Sequence, residues 1–266
     1  MNRRYQHMTK KAYARAGVDV DLGNKLKRGI QSLVRQTHGP QVLGKIGGFG
    51  GLFHASFSRM REPVLVASVD GVGTKLKIAF AMNKHVTVGV DLVNHCINDI
   101  AVLGARPLFF LDYIGCGTLE AGVFQQLLRG LSRACRDAGC ALLGGETAQM
   151  PGMYRKGEYD LAGCIVGVVD RAKIIDGKKI KPGDVVLGLP SNGLHTNGYS
   201  LARKILFEQM RLKPSSLLPG STTTVGDELL RVHKNYQPLL IKVRGGMLKG
   251  LAHITGGGLV DNLPRI

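Results

Sequence analysis

The chain runs to 266 residues, of which 44% are hydrophobic and 6% aromatic, with no Trp, 37 glycines and a formal charge of +17. A chain of this length can bury a substantial core in about two domains, and the composition excludes the low-complexity, collagenous and disordered classes. Its apolar runs, residues 164–169 among them, fall far short of the roughly 20 residues a membrane helix needs, so no membrane partner is expected.

The positive charge is spread along the chain. No dense basic run and no interleaved Phe or Tyr mark a nucleic-acid groove, so nucleic acid is the least supported partner. Solvated surface charge is the plain account of the excess, and a field that draws phosphate-bearing small molecules is the next. Five cysteines (Cys96, Cys116, Cys135, Cys140 and Cys164) make an odd number without close metal-type pairing, which favours a reduced, cytoplasmic compartment.

In chain order, residues 1–17 contain no acid and read as a flexible basic arm; no apolar signal core follows them. Gly44, Gly47, Gly48, Gly50 and Gly51 then surround Phe49 in a loop that can fold over a ligand or simply turn tightly. Residues 64–69 predict a strand and residues 75–82 a helix. Residues 88–90 read as a strand end that hands over at Asp91 to a helix, on which Asp91, His95 and Asn98 share a polar face. Residues 107–114 predict a buried strand, and Val123, Leu127, Leu131, Cys135 and Ala138 mark one face of a long helix that Gly139 stops. Two more strands are expected at "CALLGG" and "YDLAGCIVGVV", and the alternation of strands and helices predicts layered α and β structure.

A charged, turn-rich connector with Gly177, Pro182 and Gly183 places a domain boundary close to Asp170. Beyond it, residues 184–189 predict a fresh strand, residues 198 onward and 227–242 predict helices, and residues 252–255 lead into Gly256, Gly257 and Gly258.

The chemistry gathers where "VASVDGVGTKLKIAF" opens a strand into a glycine turn. The spacing is not that of a Walker A loop, because Thr74 separates Gly73 from Lys75. Gly71, Gly73 and Thr74 offer backbone N–H groups to phosphate oxygens, Lys75 a point charge, and Asp70 a hard oxygen ligand. Asp91, Asn98, Asp99 and Glu146 repeat the placement of metal-friendly oxygens at strand exits or on a polar helix face. Mg²⁺ uses few protein carboxylates and keeps its waters and phosphates, so together they suit a metal–nucleotide site. Taken singly, each reads as a cap or ordinary surface polarity. "SNGLHTNG" sets Ser191, Asn192, His195, Thr196 and Asn197 before a helix, a constellation fit for phosphate binding or acid–base work.

Several strings, in order over nearly the whole chain, resemble the phosphoribosylformylglycinamidine cyclo-ligase (AIR synthetase) family: "IGGFGGLF", "EPVLVASVDGVGTKLKIA", "GVDLVNHCINDIAVLGARPLFFLDY", "GCALLGGETAQMPGMY", "GLHTNGYSLARKIL" and "HITGGGLVDNLPRI". The resemblance implies an α+β, two-domain AIR-synthetase-like fold: an N-terminal ATP-binding and dimerisation domain over 18–170, whose mixed sheet pairs in a homodimer, and a C-terminal α/β domain over 171–266. It implies ATP-dependent closure of the imidazole ring of formylglycinamidine ribonucleotide in purine biosynthesis, with ATP and Mg²⁺. It further implies Asp70, Asp91, Glu146 and Asn98 or Asp99 at metal or phosphate, Asp70, Lys75 and His195 as catalytic groups, and Gly47, Gly48, Phe49 and Gly50 over the nucleotide. His195, Asn197 and Gly256 to Gly258 fall near the ribonucleotide or its phosphate. Gln31, Val69 and Asn192 depart from the family's usual Lys, Thr and Ser. Family members continue past "NLPRI", so the C-terminal domain is expected to be incomplete, and an impaired subunit or dimerisation module and a small-molecule kinase of the same superfamily stand beside the active ligase.

Overall fold

The computed structural model describes residues 12–243 and 247–266. Of the basic arm expected over 1–17, residues 1–11 lie outside the described residues, and residues 12–15 are helical. The elements in chain order are α1 (Val20–Gly29), α2 (Gln31–Arg35), β1 (Pro63–Gly71), α3 (Leu76–Met82), α4 (Val86–Ala101), β2 (Arg106–Cys116), α5 (Ala121–Asp137), β3 (Ala141–Gln149) and β4 (Tyr159–Asp170). Four short helices follow: α6 (Tyr199–Arg203), α7 (Val225–Leu229), α8 (Gln237–Val243) and α9 (Gly258–Asn262).

The strands form one sheet in the order β1-β4-β2-β3. β4 runs antiparallel to both neighbours, whereas β2 and β3 are parallel and joined through α5, as a parallel pair requires. One face is covered by α4 and α5. Phe110, Ile114, Leu142, Leu161 and Ile165 meet Leu92, Ile97, Leu127 and Leu131 there, all at most 2% exposed. The helices approach closely because two glycines face each other: a Cβ on Gly130 would sit 2.1 Å from the Val86 carbonyl oxygen, and one on Gly89 2.5 Å from that of Leu127. The opposite face is largely bare, with Leu65 and Val69 62% and 70% exposed.

Helix α4 is buried nearly all round. Its apolar positions meet the sheet and α5, while Asp91, Asn94, His95 and Asn98, at most 8% exposed, are covered by segments from the second half of the chain. The strand end expected at residues 88–90 is therefore part of this helix; the β-branched run Val86, Thr87, Val88, Val90 misleads because packing overrides local preference.

Residues 171–266 differ from expectation in two further places. Residues 184–189 pair with no strand among the described residues, and Val185, Val186 and Leu187 are more than 80% exposed. The single helix expected over 227–242 is broken into α7 and α8 by an extended stretch whose backbone serves α4.

Candidate active site

Strand β1 carries Asp70 to the helix-covered face of the sheet. Its carboxylate accepts a 2.7 Å hydrogen bond from the Gly71 amide and lies 2.9 Å from His95 Nε2 on α4. Partial burial pushes its pKa up, but His95 and the Gly71 amide outweigh this and hold it below the ordinary value. One turn beyond His95, Asp99 accepts from Ser68 Oγ at 2.8 Å and pairs with His253 Nδ1 at 2.7 Å. Two carboxylates and two imidazoles from β1, α4 and the segment before the glycine turn thus meet, with the Asp70 and Asp99 side chains 37% and 25% exposed.

Beside this corner stands a buried pair. Lys75 Nζ lies 2.7 Å from Asp91, and both side chains are fully buried. The ammonium also donates to the backbone oxygens of His195 at 2.9 Å and Arg231 at 2.7 Å, so its three protons are used. Asp91 is completed by the His233 amide at 2.6 Å. Burial pushes the Asp91 pKa up to about 6 against the pull of Lys75. Asn98 likewise spends its donors on His233 and Lys234 and its oxygen on the Tyr236 amide. Lys75, Asp91 and Asn98, expected at phosphate or metal, are corrected accordingly: they fasten α3 and α4 to the 192–236 region.

His195 takes a left-handed backbone conformation, φ 59°, and stacks on His233 at 4.2 Å between ring centroids. Its Nε2 meets Asn192 Oδ1 at 2.8 Å. Burial, and after it the Lys75 charge, pulls its pKa down to about 4, so the ring is neutral at pH 7. Thr196 Oγ1 joins His95 Nδ1 at 2.7 Å and His233 Nδ1 at 3.1 Å. Asn197 stands beside the glycine turn, where a Cβ on Gly256 would lie 3.7 Å from Asn197 Nδ2. Gly257 and Gly258 have φ of 89° and 64°, open to glycine and strained for other residues. Buried Asn262 ties the turn by donating to the carbonyls of Gly256 and Gly258. Gly71 ends β1, Gly73 has φ 66°, and Thr74 Oγ1 meets Ser200 Oγ at 3.0 Å.

Glu146 does not join this group. Register aligns Asp70 with Gly163, Asp112 and Gly145 across the sheet. Glu146 belongs to the next row with Gly71, Ala162 and Tyr113, three strands and about 14 Å away, with its side chain on the bare face. The loop of Gly47, Gly48, Phe49 and Gly50 is exposed on the same side: Gly51 abuts Leu143, and Phe53 packs on Phe109 at 5.3 Å. A cavity of about 700 Å³, lined by Phe57, Arg106, Lys173 and Lys249 among others, contains none of the expected site acids.

Mg²⁺ is bound through one or two carboxylates together with waters and phosphate oxygens. Asp70 and Asp99, partly exposed and close to one another through His95 and His253, fit that ion; Asp91, fully buried and paired with Lys75, and Asn98, held by the backbone of residues 234 and 236, do not. Sequence reasoning missed His233 and His253, single histidines in irregular segments. Only the position of His253 ahead of the three glycines hinted at it.

This architecture defines an AIR synthase related protein: the model of that family's N-terminal domain matches residues 55–169, and that of its C-terminal domain matches residues 181–266. The fold is also that of the thiamine-monophosphate kinase from Stenotrophomonas maltophilia, with a TM-score of 0.58 at 18% identity over 81% of this chain and 63% of the other. Escherichia coli HypE, a hydrogenase maturation protein, gives a TM-score of 0.51 at 17% identity over 82% and 61%. Within that class, the chain belongs to the phosphoribosylformylglycinamidine cyclo-ligase family, ligases of purine biosynthesis. It is 55% identical to the enzyme of that name from Syntrophotalea carbinolica over 97% of this chain and 74% of the relative, and 50% identical to that from Geobacillus thermodenitrificans over 96% and 74%.

Proposed function

We propose that the chain closes the imidazole ring of formylglycinamidine ribonucleotide with Mg-ATP, releasing aminoimidazole ribonucleotide, ADP and phosphate. Family membership supports this reading. The observation that carries it to particular residues is the convergence of Asp70, Asp99, His95, His253, Asn197 and the 256–258 turn from both halves of the chain.

A formyl oxygen is a poor leaving group until it is phosphorylated. Once it attacks the γ-phosphorus and ADP departs, the neighbouring nitrogen can form the ring C–N bond as the C–O bond to phosphate breaks. Catalysis of this kind rests on positioning and charge neutralisation. Asp70 and Asp99 hold Mg²⁺, which when bound neutralises charge on the phosphate oxygens. Gly73 and Thr74, with Gly256 and Gly257, present backbone N–H groups to phosphates, while the amides of Gly71 and Gly258, expected there too, are spent on the Asp70 carboxylate and the Thr255 carbonyl. His95, held by Thr196, fixes the Asp70 carboxylate. His195 and Asn197 face the ribonucleotide as neutral hydrogen-bonding groups. Lys75 acts at one remove: through Asp91 and the carbonyls of His195 and Arg231 it positions the loops.

The working form in this reading is a cytoplasmic homodimer. The five cysteines are unpaired and four are buried, as suits a reduced compartment. Leu65, Val69 and Tyr113 on the bare face of the sheet, 38% or more exposed, offer the apolar surface for a second copy. Residues 18–170 carry the nucleotide site and that face, residues 171–266 the ribonucleotide side. Glu146 and the Phe49 loop, on the same bare face, belong to the nucleotide only across such a dimer.

The test is to incubate the chain with Mg-ATP and formylglycinamidine ribonucleotide and to follow ADP and the aminoimidazole together. Both products are expected, and Asp70→Asn is expected to abolish turnover while leaving the circular dichroism unchanged. A fully active Asp70→Asn chain removes the site assignment. ADP without ring closure makes the protein a small-molecule kinase.

A further inference from the structure

The corner that holds Asp70 and Asp99 contains more nitrogen than a magnesium site uses. His95, Asp99 and His253 each bring one ligand-capable atom within 4.8 Å of the other two. His95 and Asp99 are spaced i, i+4 on α4, so both project from one helical face of a helix buried nearly all round. His253 arrives from the other half of the chain and packs edge-on against His95, 5.3 Å between centroids.

One of these rings is poorly satisfied as a simple hydrogen-bonding residue. His253 Nε2 is buried without a hydrogen-bond partner among the described residues, and its side chain is only 10% exposed. His95, with a side chain 2% exposed, has its Nδ1 fixed by Thr196 and its Nε2 turned to Asp70 at 2.9 Å, so it enters the corner already oriented. A buried imidazole nitrogen without a partner has given up its hydration for nothing in return. The outer contacts are those of ligands held in place: Thr196 on His95 and Ser68 on Asp99.

We propose that His95, Asp99 and His253 form a site for a divalent transition cation of the zinc class, distinct in chemistry from the oxygen-ligated Mg²⁺ of the reaction. Two imidazoles and a carboxylate suit Zn²⁺, Co²⁺ or Fe²⁺, whereas Mg²⁺ selects oxygen ligands. Ligands 2.0–2.2 Å from a tetrahedral ion stand roughly 3.3 Å apart, so three ligand atoms already within 4.8 Å of one another need to close by at most about 1.5 Å. Asp99 is shared with the Mg²⁺ site proposed above, so the transition ion and the reaction compete for it. Such an ion also clamps the 247–257 segment to α4.

The binding itself does not depend on the ring-closure reading, and it is measured without nucleotide or ribonucleotide. Titration of the apo chain with Zn²⁺ by calorimetry, in the presence of millimolar Mg²⁺, is expected to show one ion per chain and a raised melting temperature. His253→Gln, which can still donate to Asp99, and Asp99→Asn, which can still accept from Ser68, are each expected to weaken Zn²⁺ binding at least tenfold. Co²⁺ substitution is expected to give visible d–d bands without the near-ultraviolet thiolate charge transfer that binding at a cysteine produces. Three results overturn the site: equal Zn²⁺ affinity in wild type and both variants, a thiolate band, or displacement of Zn²⁺ by Mg²⁺ at comparable concentration. A Zn²⁺-binding chain that fails to close the imidazole ring leaves this site standing and sinks only the ligase reading.

Discussion

Two ion pairs bear very different loads in this molecule. Lys75 and Asp91 neutralise each other at 2.7 Å with no solvent exposure, whereas Lys77 and Glu158 touch at the same distance in water. Removing one member of a buried pair strands the other charge. Lys75→Met is therefore expected to cost about 3–5 kcal/mol of unfolding free energy in urea titration, and Lys77→Ala no more than about 1 kcal/mol. An equal effect of the two substitutions contradicts the structural role given to Lys75. His195 supplies a pH signature. Burial holds its folded pKa at about 4, below the roughly 6.5 of an unfolded histidine. Between those values the unfolded chain binds a proton that the folded chain refuses, so stability is complete above pH 6.5 and falls as pH drops towards 4. His233, also pulled down by burial, acts in the same direction. Asn tolerates the left-handed backbone at position 195, so His195→Asn is expected to fold and to lose less stability between pH 7 and 5 than the parent in urea midpoints.

At the level of elements, much was readable. β1, β2, β3 and β4 follow the apolar runs, and α5 follows the spacing of Val123, Leu127 and Leu131. The errors have physical causes. A β-branched run at 86–90 reads as strand but lies in a helix, because the sheet on one side and α5 on the other bury it from every direction. The apolar stretch 184–189 has strand composition, yet pairing needs a neighbouring edge, and none is supplied among the described residues. The site was half legible. Asp70 sits where a strand meets a glycine turn, a local signal, whereas the hydrogen bonds that silence Asp91 and Asn98 come from residues more than 130 positions away. The α4–α5 crossing can be tested at its glycines. Gly130→Ala drives a methyl into the Val86 carbonyl and is expected to destabilise by about 1–3 kcal/mol. Gly122→Ala, in the same helix with open space around it, is expected to be neutral or stabilising by up to about 1 kcal/mol. Similar melting temperatures for the two variants contradict the close approach.

For the whole molecule, the sheet is clothed on one face and bare on the other. If a second copy covers Leu65 and Val69, then Val69→Lys is expected to yield monomers in sedimentation velocity with the circular dichroism of the parent, because the side chain is 70% exposed in the single chain. A parent that sediments as a monomer at micromolar concentration removes the dimer from the proposal.

The polar face of α4 has one more implication, for anyone who would divide the chain. Asp91, Asn94 and Asn98 find their partners in the backbone of residues 233–236. An excised N-terminal half would keep its greasy interior yet leave a seam of thirsty amides and a carboxylate along its central rod. Such a fragment should swell, exchange its α4 amide protons quickly and tighten again when a peptide spanning residues 229–240 is added in trans. The second half is thus less a neighbour of the first than the missing strip of its wall.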